Sequence, residues 1–278
     1  MTAMAHFSHD GLQLAYRDSA PNDRERPVVL LLHGFPDSSA MWGTQIGFLH
    51  DRGYRVLAPD TRGCGDSDIA PQRADYHYTR VLADFIALLD QLGIDQVQVV
   101  GHDWGAVFAW LLAGHYPSRV TRLVAISVGH PTAYAKAGLR QKLAGWYIVF
   151  FLMAGFAERR LLGKSRLAFE RAMPGHPQPE EVRERMARPG RLTAALRVYR
   201  ANISDILLGS QPRVTAPTVG VWSDGDTFLT EAQMRGSRAF VDADWQFEAL
   251  SGGHWIPLEQ PDRLNTLLAA HLDAPADR

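Results

Sequence analysis

The sequence holds a single cysteine, Cys64, in 278 residues. An intramolecular disulfide is therefore excluded, and a reducing cytoplasm fits the chain. Basic residues form no long run and the formal net charge is −1. The electrostatic footprint of a nucleic-acid binder is missing, and so is an anchor for an anionic membrane. No uncharged stretch reaches the roughly 20 residues that span a bilayer. One of the longest, Leu143 to Ala157, lies between Lys142 and Glu158 and predicts a buried helix. Met1 to Asp18 has no basic stretch followed by a long apolar run, so no signal peptide is expected. None of the eleven histidines falls in an HxxxH or HExxH spacing, which argues against a metal site. Gly63-Cys64-Gly65 starts like a dinucleotide fingerprint, but Asp68 stands where the third glycine is required. No cofactor is called for.

What is present is the material of a large α/β domain with an inserted segment. Apolar residues make up 46%, enough to bury a full core. Short apolar runs alternate with helical patterns, as in a mostly parallel sheet flanked by helices. Strands are predicted over Gly11 to Arg17, Val28 to Leu32, Tyr54 to Ala58, Val97 to Val100, Val120 to Ile126, Thr218 to Trp222 and Trp245 to Leu250. Helices are predicted over Thr79 to Gln91, Trp104 to His115 and Arg263 to Leu272, with a frayed tail after Asp273. From about His130 to about Gln211 the alternation stops. Helical patterns broken by Pro174, Pro177, Pro179 and Pro189 take over. The expected organisation is a first core segment at 1–129, a helical cap at 130–212 and a second core segment at 213–278.

Directly after the run Val97 to Val100 comes Gly101-His102-Asp103-Trp104-Gly105, with a helical pattern behind it. Strand, sharp turn and helix lift a nucleophile onto an exposed elbow, and serine is missing from its tip. Asp103 takes that place. A carboxylate is ionised at neutral pH and attacks a saturated carbon without a base to activate it. The plain alternative is that Asp103 caps the following helix. A base and an orienter follow in the order expected of a triad. Thr218 to Trp222 runs into Ser223-Asp224-Gly225-Asp226, and Trp245 to Leu250 runs into Ser251-Gly252-Gly253-His254. Asp226 is the expected acid, with Asp224 as the alternative, and His254 the base. His33-Gly34-Phe35-Pro36 follows the buried strand Val28 to Leu32. The backbone N–H groups of Phe35 and Trp104 would make an oxyanion hole, and a cis Phe35–Pro36 bond is expected at that sharp turn.

With these landmarks the chain resembles the α/β-hydrolase superfamily over nearly its whole length. His33-Gly34-Phe35-Pro36, the Gly101–Ala106 elbow and the inserted cap look most like the epoxide hydrolases. That resemblance implies two cap tyrosines that hold an epoxide oxygen. Tyr147 stands ahead of Gly155-Phe156-Ala157-Glu158, and Tyr199 stands in Val198-Tyr199-Arg200 after Pro189-Gly190-Arg191-Leu192. Both match the family's positions. Leu152 and Val198 depart from the family's usual glutamine and tryptophan. Periodicity alone makes each tyrosine a core residue on an apolar helical face. The implied activity is hydrolysis of a small apolar epoxide with water to a 1,2-diol, with Trp146, Phe150 and Met153 as candidates for the substrate pocket. A haloalkane or haloacid dehalogenase on the same scaffold, with the Trp104 indole binding the halide, is the nearest competitor. A silent ligand-binding protein is another. A homo-oligomer is left open.

Overall fold

In the computed structural model, residues 3–163 and 166–274 are described. Eight strands form one sheet among them. They are β1 (Ala3–His9), β2 (Leu12–Asp18), β3 (Val28–Leu32), β4 (Arg55–Pro59), β5 (Val97–His102), β6 (Val120–Ile126), β7 (Thr218–Ser223) and β8 (Trp245–Leu250). Their order is β1-β2-β4-β3-β5-β6-β7-β8. β1 and β2 pair antiparallel, as do β2 and β4. Every pairing from β4 to β8 is parallel. The strand order reverses between β3 and β5, and open α/β sheets place ligand sites beyond the carboxyl ends of strands at such a reversal.

The central strands are fully buried because helices cover both faces. β3 shows the division. Val29 and Leu31 point to one side, where they join α1 (Gly43–Asp51) and the C-terminal helix. Leu30 and Leu32 point to the other, toward α2 (Tyr78–Gln91) and α3 (Trp104–His115). α2 is amphipathic and buries Val81, Leu82, Phe85, Leu88 and Leu89. α3 is apolar on every side and buries all residues from Trp104 to Ala113. An all-round apolar helix needs cover on every face. Here the sheet lies below α3 and further helices lie above it.

Those helices leave the sheet after β6 and return at β7. They are α4 (Pro131–Lys136), α5 (Gly138–Ala144), α6 (Trp146–Leu152), α7 (Phe156–Leu161), α8 (Arg166–Ala172), α9 (Pro179–Ala187) and α10 (Arg191–Leu208). After β7 come α11 (Glu231–Gly236), α12 (Ile256–Glu259) and α13 (Pro261–Leu272). This is an α/β-hydrolase fold with a helical insert. Among the described residues, no helix is long and apolar enough to cross a membrane.

Several features differ from the sequence reading, the unpredicted helices α1 and α11 among them. β1 was not anticipated, because its seven residues mix polar and apolar side chains. It is an edge strand, held on β2 by backbone pairing and by Phe7 against Tyr16, with ring centroids 5.9 Å apart. The segment Leu143 to Ala157 is not one buried helix. α6 and α7 are separate, divided at Gly155, whose φ of +75° ends the helical path. Leu143, Trp146, Val149, Met153 and Phe156 are exposed on its outer side. The tail predicted to fray lies, beyond residue 274, outside the described residues.

Candidate active site

β5 delivers Asp103 onto a bend with φ +55° and ψ −124°, at the start of α3. A non-glycine residue with positive φ is strained and persists only where its surroundings fix it. The crossing of strand and helix does so. A Cβ on Gly105 would run into the Leu32 carbonyl, and one on Gly34 would strike the Asp103 side chain itself. The turn therefore closes on bare backbone. The Asp103 side chain makes no capping bond to α3. Its Oδ1 instead accepts the Phe35 N–H at 2.8 Å. Trp104 supplies the first N–H of α3, one of the amides that a helix leaves without an internal partner. The positive end of the helix dipole favours the carboxylate. The Phe35–Pro36 bond is cis.

His254 sits in the loop after β8 and Asp226 in the loop after β7. His254 Nδ1 lies 2.8 Å from Asp226 Oδ2, and its Nε2 lies 3.6 Å from Asp103 Oδ2. The Asp226 side chain is wholly buried. Its Oδ1 accepts the N–H groups of Phe228 and Leu229 at 2.8 and 3.0 Å. Burial works to raise the Asp226 pKa, but the imidazole and these two amides hold it below the usual carboxylate range. Burial likewise works against a charged His254. The two carboxylates outweigh it and push the imidazole up to about 10. Asp224, the alternative acid, is exposed and bonds to Ser251 and Gly252. His102, next to the elbow, donates from Nε2 to the His254 carbonyl at 2.8 Å. Burial lowers its pKa to about 4, so it stays neutral and fixes the backbone of His254.

Tyr147 on α6 and Tyr199 on α10 come down over Asp103. Two cavities meet at these three residues, which line both. The larger holds about 430 Å³ of empty space, with Trp104, Val107, Ile148, Ile203, Ile206 and Leu229 in its wall. The smaller, about 260 Å³, runs past Phe35, Phe151, Phe228, His254 and Trp255. The tyrosine rings are 6.4 Å apart and nearly perpendicular. Burial and the nearby negative charge of Asp103 hold both phenols well above their ordinary pKa, so each keeps its proton as a donor. The Trp104 side chain, packed against the Tyr199 ring at 5.1 Å, partly offsets that rise. Arg200 locks the two helices together. It pairs with Glu158 at 2.7 Å and donates to the Phe151 carbonyl at 2.9 Å.

The three pocket candidates fall elsewhere. Trp146 is 66% exposed and Met153 44% exposed, and neither they nor Phe150 line either cavity. The cause is helical geometry. Residues four apart share a face, so turning Tyr147 and Phe151 inward turns their neighbours away. Phe150 packs against Phe156 within the insert itself. Sequence reasoning missed Phe151, Phe228 and Trp255. It also missed Tyr134 on α4, which lines the larger cavity. The i+4 spacing from Tyr147 could have found Phe151. No local pattern marks the others.

The comparisons with known proteins agree with this architecture. The model of the alpha/beta hydrolase fold family matches residues 27–261. Epoxide hydrolase 4 of Mus musculus is 31% identical over 281 residues, covering 94% of this chain and 77% of that protein. The AB hydrolase superfamily protein YfhM of Bacillus subtilis (strain 168) is 31% identical, covering 91% of this chain and 93% of that protein. The crystal structure of epoxide hydrolase A from Mycobacterium thermoresistibile superposes with a TM-score of 0.84 at 26% identity, covering 99% of each chain.

Proposed function

The chain belongs to the α/β-hydrolase superfamily and to the epoxide hydrolase family within it, and we propose that it opens a small apolar epoxide to a 1,2-diol through an ester on Asp103. On this reading the helices of residues 130–212 act as a cap over a core made of 1–129 and 213–278. The observation that carries it is the meeting of four groups where two cavities join. The Asp103 carboxylate faces two protonated phenols, and the imidazole lies beside its other oxygen.

Tyr147 and Tyr199 donate hydrogen bonds to the epoxide oxygen. One Asp103 oxygen attacks a ring carbon from the side opposite the C–O bond. That bond breaks, its electron pair goes to oxygen, and a tyrosine supplies the proton. General-acid help of this kind is worth typically about 10²–10⁴-fold. Ester formation removes the charge on Asp103. His254 then loses one of the two carboxylates that keep it protonated, its pKa falls, and its proton passes, directly or through water, to the tyrosinate left by the first step, which restores the phenol. The neutral imidazole takes a proton from water, and hydroxide adds to the Asp103 carboxyl carbon. The Phe35 and Trp104 amides hold the negative oxygen that develops. Collapse breaks the bond to the substrate and releases the diol. The nucleophile's own consumption switches on the base.

The dehalogenase reading needs a free halide donor. The Trp104 indole instead packs against the Tyr199 ring, 5.1 Å away and nearly perpendicular to it. The two phenols also have no task in halide displacement. A silent binding protein has no use for the buried Asp226–His254 pair. A panel of terminal epoxides and bromoalkanes tests these readings together. Diol formation without halide release is the expected result. His254→Gln should accumulate the ester, detected as a mass gain on the peptide that carries Asp103. Halide release alone, or no turnover of any epoxide, would contradict the proposal.

A further inference from the structure

A third phenol faces the larger cavity. Tyr134 closes α4, and the start of α6 leaves room for its hydroxyl. A Cβ at Gly145 would stand 3.2 Å from Tyr134 Oη. The rest of the lining there is mostly aliphatic, so this hydroxyl is a polar group in an apolar arm.

Its neighbour Gln141 cannot accept its proton. Gln141 Oε1 already receives the Thr230 N–H at 2.8 Å and the Thr230 hydroxyl at 2.9 Å. A carbonyl oxygen has two lone pairs, and both are in use. Gln141 Nε2 donates to the Phe228 carbonyl at 2.9 Å, which leaves one N–H for the phenol oxygen. The Gln141 amide therefore has no acceptor left to offer Tyr134. Burial raises the phenol to about 12 and Asp103 adds to the rise, while Gln141 opposes it. The proton stays on. Among the described residues no acceptor bonds to it. A half-buried phenol on an apolar wall without a protein acceptor is incomplete, since its O–H normally finds a partner.

We propose that Tyr134 forms a hydrogen-bonding subsite in the larger arm, and that the substrate class is an epoxide whose chain carries an oxygen acceptor, an ether or carbonyl, placed to reach it. Asp103, Tyr147 and Tyr199 hold the epoxide end, the aliphatic wall takes the chain, and Tyr134 reads one position along it. The assignment of the epoxide to the Asp103 end rests on the function proposed above. The donor at Tyr134 stands on its own geometry.

The test uses constitutional isomers, so that apolar area is constant. Butyl glycidyl ether, 4-propoxy-1,2-epoxybutane and 5-ethoxy-1,2-epoxypentane move one ether oxygen along chains of equal length. The wild-type enzyme should prefer one isomer in kcat/KM by about 3- to 10-fold, the size of one net hydrogen bond. Tyr134→Phe should bring the three ratios to near unity. Equal rates in the wild type, or a preference that survives Tyr134→Phe, would overturn the subsite. Equal wild-type rates would do so even if the variant failed to fold. The three corresponding diols, titrated against tryptophan fluorescence, separate the two claims. Selective diol binding without epoxide turnover would keep the subsite and reject the reaction. Turnover with no isomer selected in either assay would keep the reaction and reject the subsite.

Discussion

His254 lies between Asp226 and Asp103, and that placement fixes its pH behaviour. Its folded pKa is raised to about 10 from an ordinary 6.5. A raised pKa means stability that is fully present below pH 6.5 and is lost as pH climbs toward 10. The wild-type melting temperature should therefore fall across that window more steeply than that of His254→Gln, as scanning calorimetry would show. Parallel curves would contradict the charged imidazole. Kinetics should split the same group in two. Ester formation should not weaken as pH rises from 6 to 9, because it needs no base. Ester hydrolysis should follow a pKa below 10, because Asp103 is then uncharged. Stopped-flow tryptophan fluorescence resolves the two phases. Asp226→Asn removes the carboxylate that orients and charges the ring. It should slow the hydrolysis phase by about 10²–10⁴-fold and leave ester formation far less affected. At this scale the sequence was most legible where a polar residue followed a strand. Asp103, Asp226 and His254 each stand at such a junction. Tyr134 does not, and its meaning depends on Gln141 being saturated by Thr230, which no local pattern reveals.

At the scale of elements, the elbow depends on how closely β3, β5 and α3 approach. Gly105→Ala would set a methyl against the Leu32 carbonyl. Overpacking of that kind costs about 1–3 kcal/mol, read as a lower urea midpoint. An unchanged midpoint would mean that the crossing is looser than described. In the cap, Arg200 ties α10 to α7 and α6 through Glu158 and the Phe151 carbonyl. Arg200→Leu should displace Tyr199 relative to Tyr147 and lower the rate of ester formation by up to about 10²-fold. Substrate affinity should change less, because the apolar wall is retained. Most strands and several helices of the core were legible, as short apolar runs or as amphipathic patterns such as that of α2, whereas β1, α1 and α11 were not. The inward faces of α6 were not. Its residues are apolar nearly all round, so periodicity could not say that Tyr147 and Phe151 turn in while Trp146 and Val149 turn out.

On the scale of the whole molecule, an apolar cavity is enclosed by a polar seam between insert and core. Asp37, two residues beyond Phe35, is buried against His176 and Arg185 from the insert, each at 3.2 Å. Asn202 on α10 accepts the Tyr78 N–H and donates to the Tyr76 carbonyl. Burial works to raise the Asp37 pKa, and His176 and Arg185 lower it by more. Its contribution is therefore present above the ordinary carboxylate pKa and is lost as pH falls. Asp37→Asn should cost about 3–5 kcal/mol at pH 7, because the Arg185 guanidinium loses its buried carboxylate partner. The difference from wild type should shrink below about pH 4, near the ordinary aspartate pKa, as urea titrations at both pH values would reveal. A cost that ignores pH would assign it to packing instead. This seam was invisible in the sequence, since Asp37 and His176 lie far apart along the chain and neither belongs to a motif. The alternation of strands and helices, and its interruption by a proline-punctuated insert, were legible throughout.

The central claim is a bond between Asp103 and the substrate carbon, and oxygen isotope transfer in a single turnover tests it most directly. Enzyme in excess over a terminal epoxide, in water enriched in heavy oxygen, should release a first diol whose new oxygen is light, taken from the Asp103 carboxyl. The label should then be found in the peptide bearing Asp103. A first diol carrying heavy oxygen, with an unlabelled peptide, would mean that water attacks the epoxide directly and that the ester does not form.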